Sequence, residues 1–366
     1  MSAAARVALI GAAGHGAWHR RAIREVDTAE LVGLCDLADI PDPDAPLFRD
    51  YEELLAATKP DIVIVCTPPH THLAIATAVA RAGADLLLEK PPVLDLSQHE
   101  SLSAVLAATG RMAQVGFQAL GSAALDRLRA AIAAGELGTL IGIGVRGAWF
   151  RPDTYFHRAP WVGRATLDGR PVLDGSLVNP FAHALMQVLA IADRPVSTVE
   201  VERYRARDIE SDDTTCLRLT FADGLTAVLA VTLCAESFVP GDITVFGTGG
   251  TAVLEYPTDR LRLPGESELT PVPGRVSLLA NLIAHRCDPS VPLRVPLART
   301  RDFTALLAPI LAAAPVAVPV GFREIRHDLG TPRVAIRGVN DAIDAAAAQR
   351  RLFSELSVPW VRQETP

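Results

Sequence analysis

Aromatic residues are scarce in this 366-residue chain, at 5% of the total, with four Trp and four Tyr. Cysteine is scarcer in pattern than in number. Cys35, Cys66, Cys216, Cys234 and Cys287 are scattered, odd in count and without metal-ligand spacing. A disulfide framework or zinc module is therefore not expected, and reduced, mostly buried thiols in a cytoplasmic protein are. No stretch of about 18 uncharged apolar residues occurs, so no transmembrane helix and no membrane partner are expected. The apolar run Val7–Ile10 is too short for a signal-peptide core and meets glycine at once. There is no block of Lys and Arg, and the net charge is −7, which argues against a nucleic-acid partner. What is present is ordinary globular material: 49% hydrophobic and 21% charged residues. The length calls for two domains.

The first 120 residues alternate short apolar runs with helical patterns. The runs are Val7–Ile10, Leu31–Cys35, Asp61–Cys66, Asp85–Leu88 and Met112–Gly116; the helices are Trp18–Val26, Tyr51–Ala57, Thr71–Ala82 and Ser97–Thr109. The runs are solidly apolar rather than alternating, as expected of parallel strands covered on both faces. After residue 120 the rhythm changes. A helix at Ala123–Ala134 precedes strands at Leu140–Phe150, Thr198–Tyr204, Asp213–Phe221, Thr226–Leu233 and Asp242–Phe246. The turn Ala222-Asp-Gly224 marks a hairpin. Helices are expected at Pro180–Ile191, Phe303–Ala313 and Asn340–Leu356. The fold class is thus α/β: an N-terminal Rossmann parallel sheet over 1–120, then an α+β domain over 121–366 with a large, mainly antiparallel open sheet. The second domain would bind substrate and form the oligomer, and the tail helix is a candidate to pack back on the first domain.

Gly11-Ala-Ala-Gly-His-Gly16 directly follows a strand and opens a helix. Gly11 permits the tight turn, Ala13 lets the backbone approach a pyrophosphate, and Gly16 allows close helix–strand packing; Gly14 and His15 complete the loop. The helix N-terminus offers free N–H groups to phosphates. About 25 residues on, Asp36 ends the second strand. Its carboxylate can accept from both adenosine ribose hydroxyls and repels a 2′-phosphate, so NAD is expected over NADP.

Three more segments sharpen the reading: Cys66-Thr-Pro-Pro-His-Thr-His72, Glu89-Lys-Pro91 and Asn179-Pro-Phe-Ala-His183. Together with Gly11–His19 they resemble the Gfo/Idh/MocA oxidoreductases, which include inositol and glucose–fructose type enzymes. The resemblance spans essentially the whole chain. It implies that Lys90 is the active-site lysine and His183 the catalytic histidine. It implies that Thr67, Pro68 and His72 line the cofactor, beside Glu89 and Lys90, with Gln118 near the nicotinamide. It also implies a cis Lys90–Pro91 bond and a homodimer or homotetramer. Two positions depart from the pattern: Pro69 replaces a frequent Asn, and Asn179 stands where many members have Asp. Asp174, five residues upstream, is the available substitute carboxylate.

Alcohol oxidation needs a hydride acceptor and a base for the hydroxyl proton. His183 is expected to be that base, with Lys90 orienting the substrate oxygen. Asn179 reads either as a catalytic residue or as a helix N-cap ahead of Pro180. Between Trp149 and Trp161 lie Trp149, Phe150, Tyr155, Phe156, His157 and Trp161, beside Arg146, Arg151 and Arg158. Such a segment either suits a sugar ring or packs a core or subunit contact. Tyr155, His157, Trp161, Asp174 and Asn179 are the candidate substrate residues. No metal site is expected; the His15 and His19 spacing is taken up by the glycine loop. The leading expectation is an NAD-dependent sugar or polyol dehydrogenase. The alternatives are an NAD-dependent glycosidase of the same fold family and a non-catalytic NAD-binding sensor.

Overall fold

The computed structural model describes residues 4–167, 169–328 and 330–361. They form two compact units: residues up to Gly121 with Val276–Ala305, and Ser122–Arg275 with the chain from Leu306 onward.

The first unit runs β1 Ala5–Ile10, α1 Gly16–Arg24, β2 Ala29–Cys35, β3 Leu47–Phe48, α2 Tyr51–Thr58, β4 Ile62–Val65, α3 His72–Arg81, β5 Asp85–Leu88, α4 Leu96–Thr109 and β6 Ala113–Val115. All six strands are parallel, in the order β3-β2-β1-β4-β5-β6. Every residue of β4 and β5 is buried, as their solid apolar sequences require. Strand order reverses between β1 and β4, where open α/β sheets bind ligands beyond the strand C-termini. β3 went unforeseen because two residues carry no periodicity.

The second unit continues with α5 Ala123–Ala133, β7 Leu140–Phe150, α6 Asp153–Phe156, the small hairpin β8 Thr166–Leu167 and β9 Arg170–Pro171, α7 Ala182–Ala192, β10 Val196–Arg205, β11 Thr214–Phe221, β12 Thr226–Thr232, β13 Cys234–Gly247, β14 Gly250–Glu255, β15 Arg260–Arg262 and β16 Thr270–Pro271. The chain then returns to the first unit with α8 Leu278–Cys287. Gln114 of β6 is fully buried and holds this return. Its amide donates to Leu278 O (2.6 Å) and Asn281 Oδ1 (3.0 Å), and its oxygen accepts from the Val295 N–H (2.9 Å). Arg286 adds an ion pair to Asp85 and another to Asp61 at 3.1 Å.

After α9 Arg301–Ala312 come β17 Val316–Ala317, β18 Arg323–Arg326, β19 Arg333–Ile336 and α10 Val339–Gln349. The nine-stranded sheet has the order β16-β15-β14-β13-β7-β12-β11-β10-β17. Its pairs are antiparallel except β7–β12 and β10–β17. α10 packs on β7, β12 and β13 of its own unit. Its Val339, Ala342, Ile343 and Ala346 share a core with Tyr204, Phe353 and Trp360. The expected single tail helix Asn340–Leu356 is two elements. Arg350 takes the left-handed conformation (φ 56°) and ends α10, and Phe353–Leu356 forms a separate 3₁₀ turn. Among the described residues no helix is long and apolar enough to cross a membrane. Cys35, Cys216 and Cys234 are buried, and none of the five thiols is in a disulfide.

Candidate active site

In the first unit the chain leaves β1 through Gly11 (φ 87°) and re-enters helix at Gly16. A side chain at Gly11 would overlap the Cys66 carbonyl, and one at Gly16 would overlap the Gly11 carbonyl. Both positions are therefore closed to any Cβ. The turn also brings the Ala13 N–H onto Asp36 Oδ2 at 2.8 Å, while Asp36 Oδ1 accepts from the Ala38 N–H at 2.8 Å. A carboxylate offers about four lone-pair sites. Two hold the backbone and two are left for hydroxyls.

At the C-terminal ends of β4 and β5 two loops are braced together. His72 is buried, its Nε2 facing Thr67 O (2.8 Å) and its Nδ1 facing Pro91 O (2.9 Å). Burial lowers its pKa and outweighs those carbonyls, which favour the protonated ring. Thr67 Oγ1 also bonds Thr71 Oγ1 at 2.7 Å, and Pro68 is exposed at the loop tip. The Lys90–Pro91 peptide bond is cis.

Glu89 lies under this turn, 6% exposed. Its Oε1 is 2.9 Å from His19 Nε2, 2.9 Å from the Gln118 amide that donates to it, and 3.7 Å from His15 Nε2. Its Oε2 accepts the Lys90 N–H at 3.1 Å. Burial alone would raise the Glu89 carboxyl, but the two histidines reverse this and hold it well below the usual carboxylate range. A Cβ at Gly116 would lie 2.7 Å from Glu89 Oε1, so that glycine makes room for the carboxylate. His15, His19 and Glu89 offer ligand atoms within 4.8 Å of one another. His15 is exposed in the glycine loop and stacks on Trp18.

His19, which falls one turn past Gly16 and four residues past His15, joins the candidate site through Glu89, a contact the sequence reading does not include. A second signal was also available. Lys59 and Lys90 are the only lysines in a sequence with 35 Lys and Arg residues. Lys59 is an exposed helix C-cap, which leaves Lys90 as the lysine with a compact ammonium and a removable proton at the end of a buried strand.

In the second unit α7 begins at Ala182 with Phe181 as its N-cap. The expectation that Asn179 caps this helix fails. Asn179 sits in the preceding turn, where its N–H bonds Gly175 O and its amide donates to Asp174 Oδ1 at 3.0 Å. Asp174 is buried, and its Oδ2 accepts the Gly163 N–H at 2.6 Å. His183 lies in the first turn of α7 and is partly buried. Asp212, unforeseen, fixes the same loop. It accepts from the Ser176 N–H (2.8 Å), Ser176 Oγ (2.6 Å), Thr215 Oγ1 (2.6 Å) and Arg203 Nε (2.7 Å).

The aromatic segment after β7 forms a ladder of rings and guanidiniums. Phe181 packs on Trp149 at 4.3 Å. Arg151 lies 4.7 Å over Trp149 and 5.1 Å over Tyr155, and Arg158 lies 4.0 Å over Tyr155 and 5.6 Å over Trp161. Tyr155 OH accepts from Arg158 Nη2 at 3.1 Å. Tyr155 and Trp161 thus belong to one stack that ends on the residue before α7. His157 is exposed, and its Nδ1 donates to Asp153 O at 2.8 Å.

Comparison with known proteins agrees with this geometry. An oxidoreductase-family model, an NAD-binding Rossmann fold, matches residues 5–117. A GFO/IDH/MocA C-terminal domain model matches residues 125–253. Inositol 2-dehydrogenase of Rhizobium meliloti is 28% identical over 166 residues, which is 43% of this chain and 50% of that protein. Glycosyl hydrolase family 109 protein 1 of Akkermansia muciniphila is 29% identical over 109 residues, 25% of this chain and 23% of that one. The chain thus matches half or less of these curated relatives' length. The WlbA dehydrogenase of Bordetella pertussis, solved with NADH and UDP-GlcNAcA, superposes with a TM-score of 0.75 at 23% identity, covering 86% of this chain and 96% of that one. On the two family models together, the chain belongs to the Gfo/Idh/MocA family of oxidoreductases, with its NAD-binding Rossmann fold.

Proposed function

We propose that the protein is an NAD-dependent dehydrogenase that interconverts a secondary alcohol and a ketone on a sugar, inositol or related polyol. The observation that carries this is the Asp36 carboxylate, pinned by Ala13 and Ala38 beside a turn where Gly11 and Gly16 admit no Cβ. That set fits a dinucleotide. Asp36 takes the ribose hydroxyls, and the N–H groups of Gly14 and His15, which the turn leaves unspent among the described residues, take the pyrophosphate. Thr67, Pro68 and Gln118 complete the cofactor's surroundings, and His72 positions the Thr67 and Pro91 loops. NAD, when bound, supplies the hydride acceptor.

The remaining chemistry belongs to this chain. Lys90 holds the substrate oxygen through its ammonium, and the buried Glu89 fixes the Lys90 backbone. His183 takes the hydroxyl proton in oxidation and returns it in reduction. Its place in the first turn of α7 supports a neutral ring, because the positive end of the helix disfavours imidazolium. Asn179 is held by Asp174, so the carboxylate lacking at 179 is supplied one hydrogen bond away. Tyr155, His157 and Trp161 are assigned to the sugar. We assign the enzyme to the cytoplasm, on its unpaired thiols, and to a homodimer or homotetramer.

The test is reduced-nicotinamide absorbance with a panel of inositols, aldoses, sugar acids and their keto forms, using NAD and NADP. Turnover should fall by about 10²–10⁴-fold in His183→Ala while NAD binding persists. Lys90→Ala should lose turnover likewise. Turnover unchanged in both variants overturns the assignment. The Akkermansia relative favours one second reading, a glycosidase that oxidises and then re-reduces its sugar. Release of a glycoside's leaving group with no net reduced nicotinamide identifies it. Bound NAD with neither activity identifies a sensor.

A further inference from the structure

We propose that the second unit carries an anion subsite next to its substrate residues, and that the substrate is a sugar bearing a phosphate or diphosphate. The identity of the oxidised group rests on the dehydrogenase reading above; the binding of the anion does not.

The subsite is a cavity of about 1050 Å³ within the second unit. Small-molecule pockets span roughly 300–1,000 Å³. This one is therefore larger than a single sugar ring needs, and it leaves room for a substituent. Its walls carry four arginines: Arg158, Arg164, Arg207 and Arg323. Such a concentration is unexpected in a chain with net charge −7.

The charges in the lining do not cancel. Of its three carboxylates, Asp153 is taken by an ion pair to Arg207, and Glu210 Oε2 is turned to the Ala165 N–H at 2.9 Å. Asp208 is exposed. Arg158, Arg164 and Arg323 have no ion pair among the described residues. Among the described residues Arg323 spends only its Nε, which donates to Val318 O at 2.7 Å, and so keeps the fork of its terminal nitrogens. Arg207 is 7% exposed and donates to Arg151 O at 2.6 Å, and its buried Nε has no hydrogen-bond partner among the described residues. Planar guanidiniums are the side chains best matched to phosphate oxygens, which they grip bidentately. Unlike a carboxylate, a diphosphate has enough oxygens to engage several at once.

One candidate substrate residue, His157, is in the cavity wall, and others touch that wall from behind. Gly163 lines it, and the Gly163 N–H is held by Asp174, the residue that holds Asn179. Arg158 lines it and stacks on Tyr155 at 4.0 Å. A sugar against His157 would place its substituent among the arginines.

The experiment uses the full chain saturated with NAD, so that the cofactor loop is filled and cannot take up the probe. Inorganic pyrophosphate is titrated by calorimetry into the parent protein, Arg164→Gln and the double variant with Arg323→Gln. Saturable binding is expected, weakening by at least about tenfold in the double variant. Both side chains reach solvent, so melting temperatures should stay at the parent value. If the double variant unfolds, Arg164→Gln and Arg158→Gln carry the comparison. Turnover of glucose, glucose phosphate and uridine diphosphoglucose is then compared. A KM lower by about tenfold or more for either conjugate is expected, and the lower of the two tells a monophosphate from a nucleotide. No saturable binding, or equal binding in all variants, overturns the subsite. Turnover of free polyols without pyrophosphate binding removes the subsite and leaves the dehydrogenase. Pyrophosphate binding without turnover of any sugar does the reverse.

Discussion

Replacing Glu89 tests the core of the first unit and the placement of Lys90 together. Every neighbour of its carboxylate is a donor: His19 and Gln118 at 2.9 Å on Oε1, and the Lys90 N–H at 3.1 Å on Oε2. An ionised carboxylate is acceptor-only, so it satisfies all of them. Glu89→Gln has the same shape but carries one NH₂. Whichever way the amide turns, that NH₂ meets a donor, either Lys90 N–H or the His19 and Gln118 side. One buried donor is left unsatisfied, at about 1–3 kcal/mol. Glu89→Ala removes every acceptor and leaves the His19, Gln118 and Lys90 donors unmet together, at about 3–5 kcal/mol in all. At roughly 2–4 °C per kcal/mol for domains of this size, melting should fall by about 2–12 °C for Gln and about 6–20 °C for Ala. Circular dichroism melting of the full chain at neutral pH reads both. The pH dependence has a fixed sign. The folded Glu89 carboxyl is held below its ordinary value of 4.5, so its stabilisation is complete above that value and is lost as pH falls through the depressed one. The gap between parent and Glu89→Gln should therefore close in acid. Equal melting of parent and Gln variant at neutral pH, or a gap that widens in acid, would refute an ionised Glu89.

Two further outcomes follow from the same geometry. Asp36→Ala should weaken NAD by on the order of a hundredfold or more, through loss of two charge-assisted bonds to ribose, and should weaken NADP less; equal losses in equilibrium titrations count against the ribose assignment. Asn179→Asp sets a second carboxylate against Asp174, replacing a 3.0 Å donor contact. One carboxyl of the pair is then raised, and a cost of about 1–3 kcal/mol should grow as pH rises through that raised value and fade in acid. Thermal melts at neutral and mildly acidic pH check it, and a pH-independent cost would mean that the two groups do not face each other.

Much of the architecture was legible because burial writes itself into sequence. β5 at Asp85–Leu88 and β7 at Leu140–Phe150 have the expected limits, since solid apolar runs bounded by polar turns leave little choice. Elements failed where the signal was short or where a backbone conformation had no marker. β3 is two residues long. α10 stops at Arg350 in a left-handed conformation that glycine or asparagine would have announced. α7 is capped at Phe181 rather than Asn179, whose side chain is spent on Asp174, a choice that local capping preference cannot see.

The candidate site divides along the same line. The sequence by itself named the glycine loop and Asp36 as cofactor candidates, and through the family resemblance Lys90 and His183 as catalytic candidates, because each sits in a short motif readable along the chain. Only the tertiary structure decided what surrounds them. Glu89 meets His19 across 70 residues, Asp174 is set by Gly163 and Asn179, and Asp212 ties down Ser176 from 36 residues away. Arg158, Arg164, Arg207 and Arg323 share one cavity although they are spread over three stretches of chain. Buried charge must find its partners wherever the fold brings them, and that choice is made by packing rather than by neighbours in sequence.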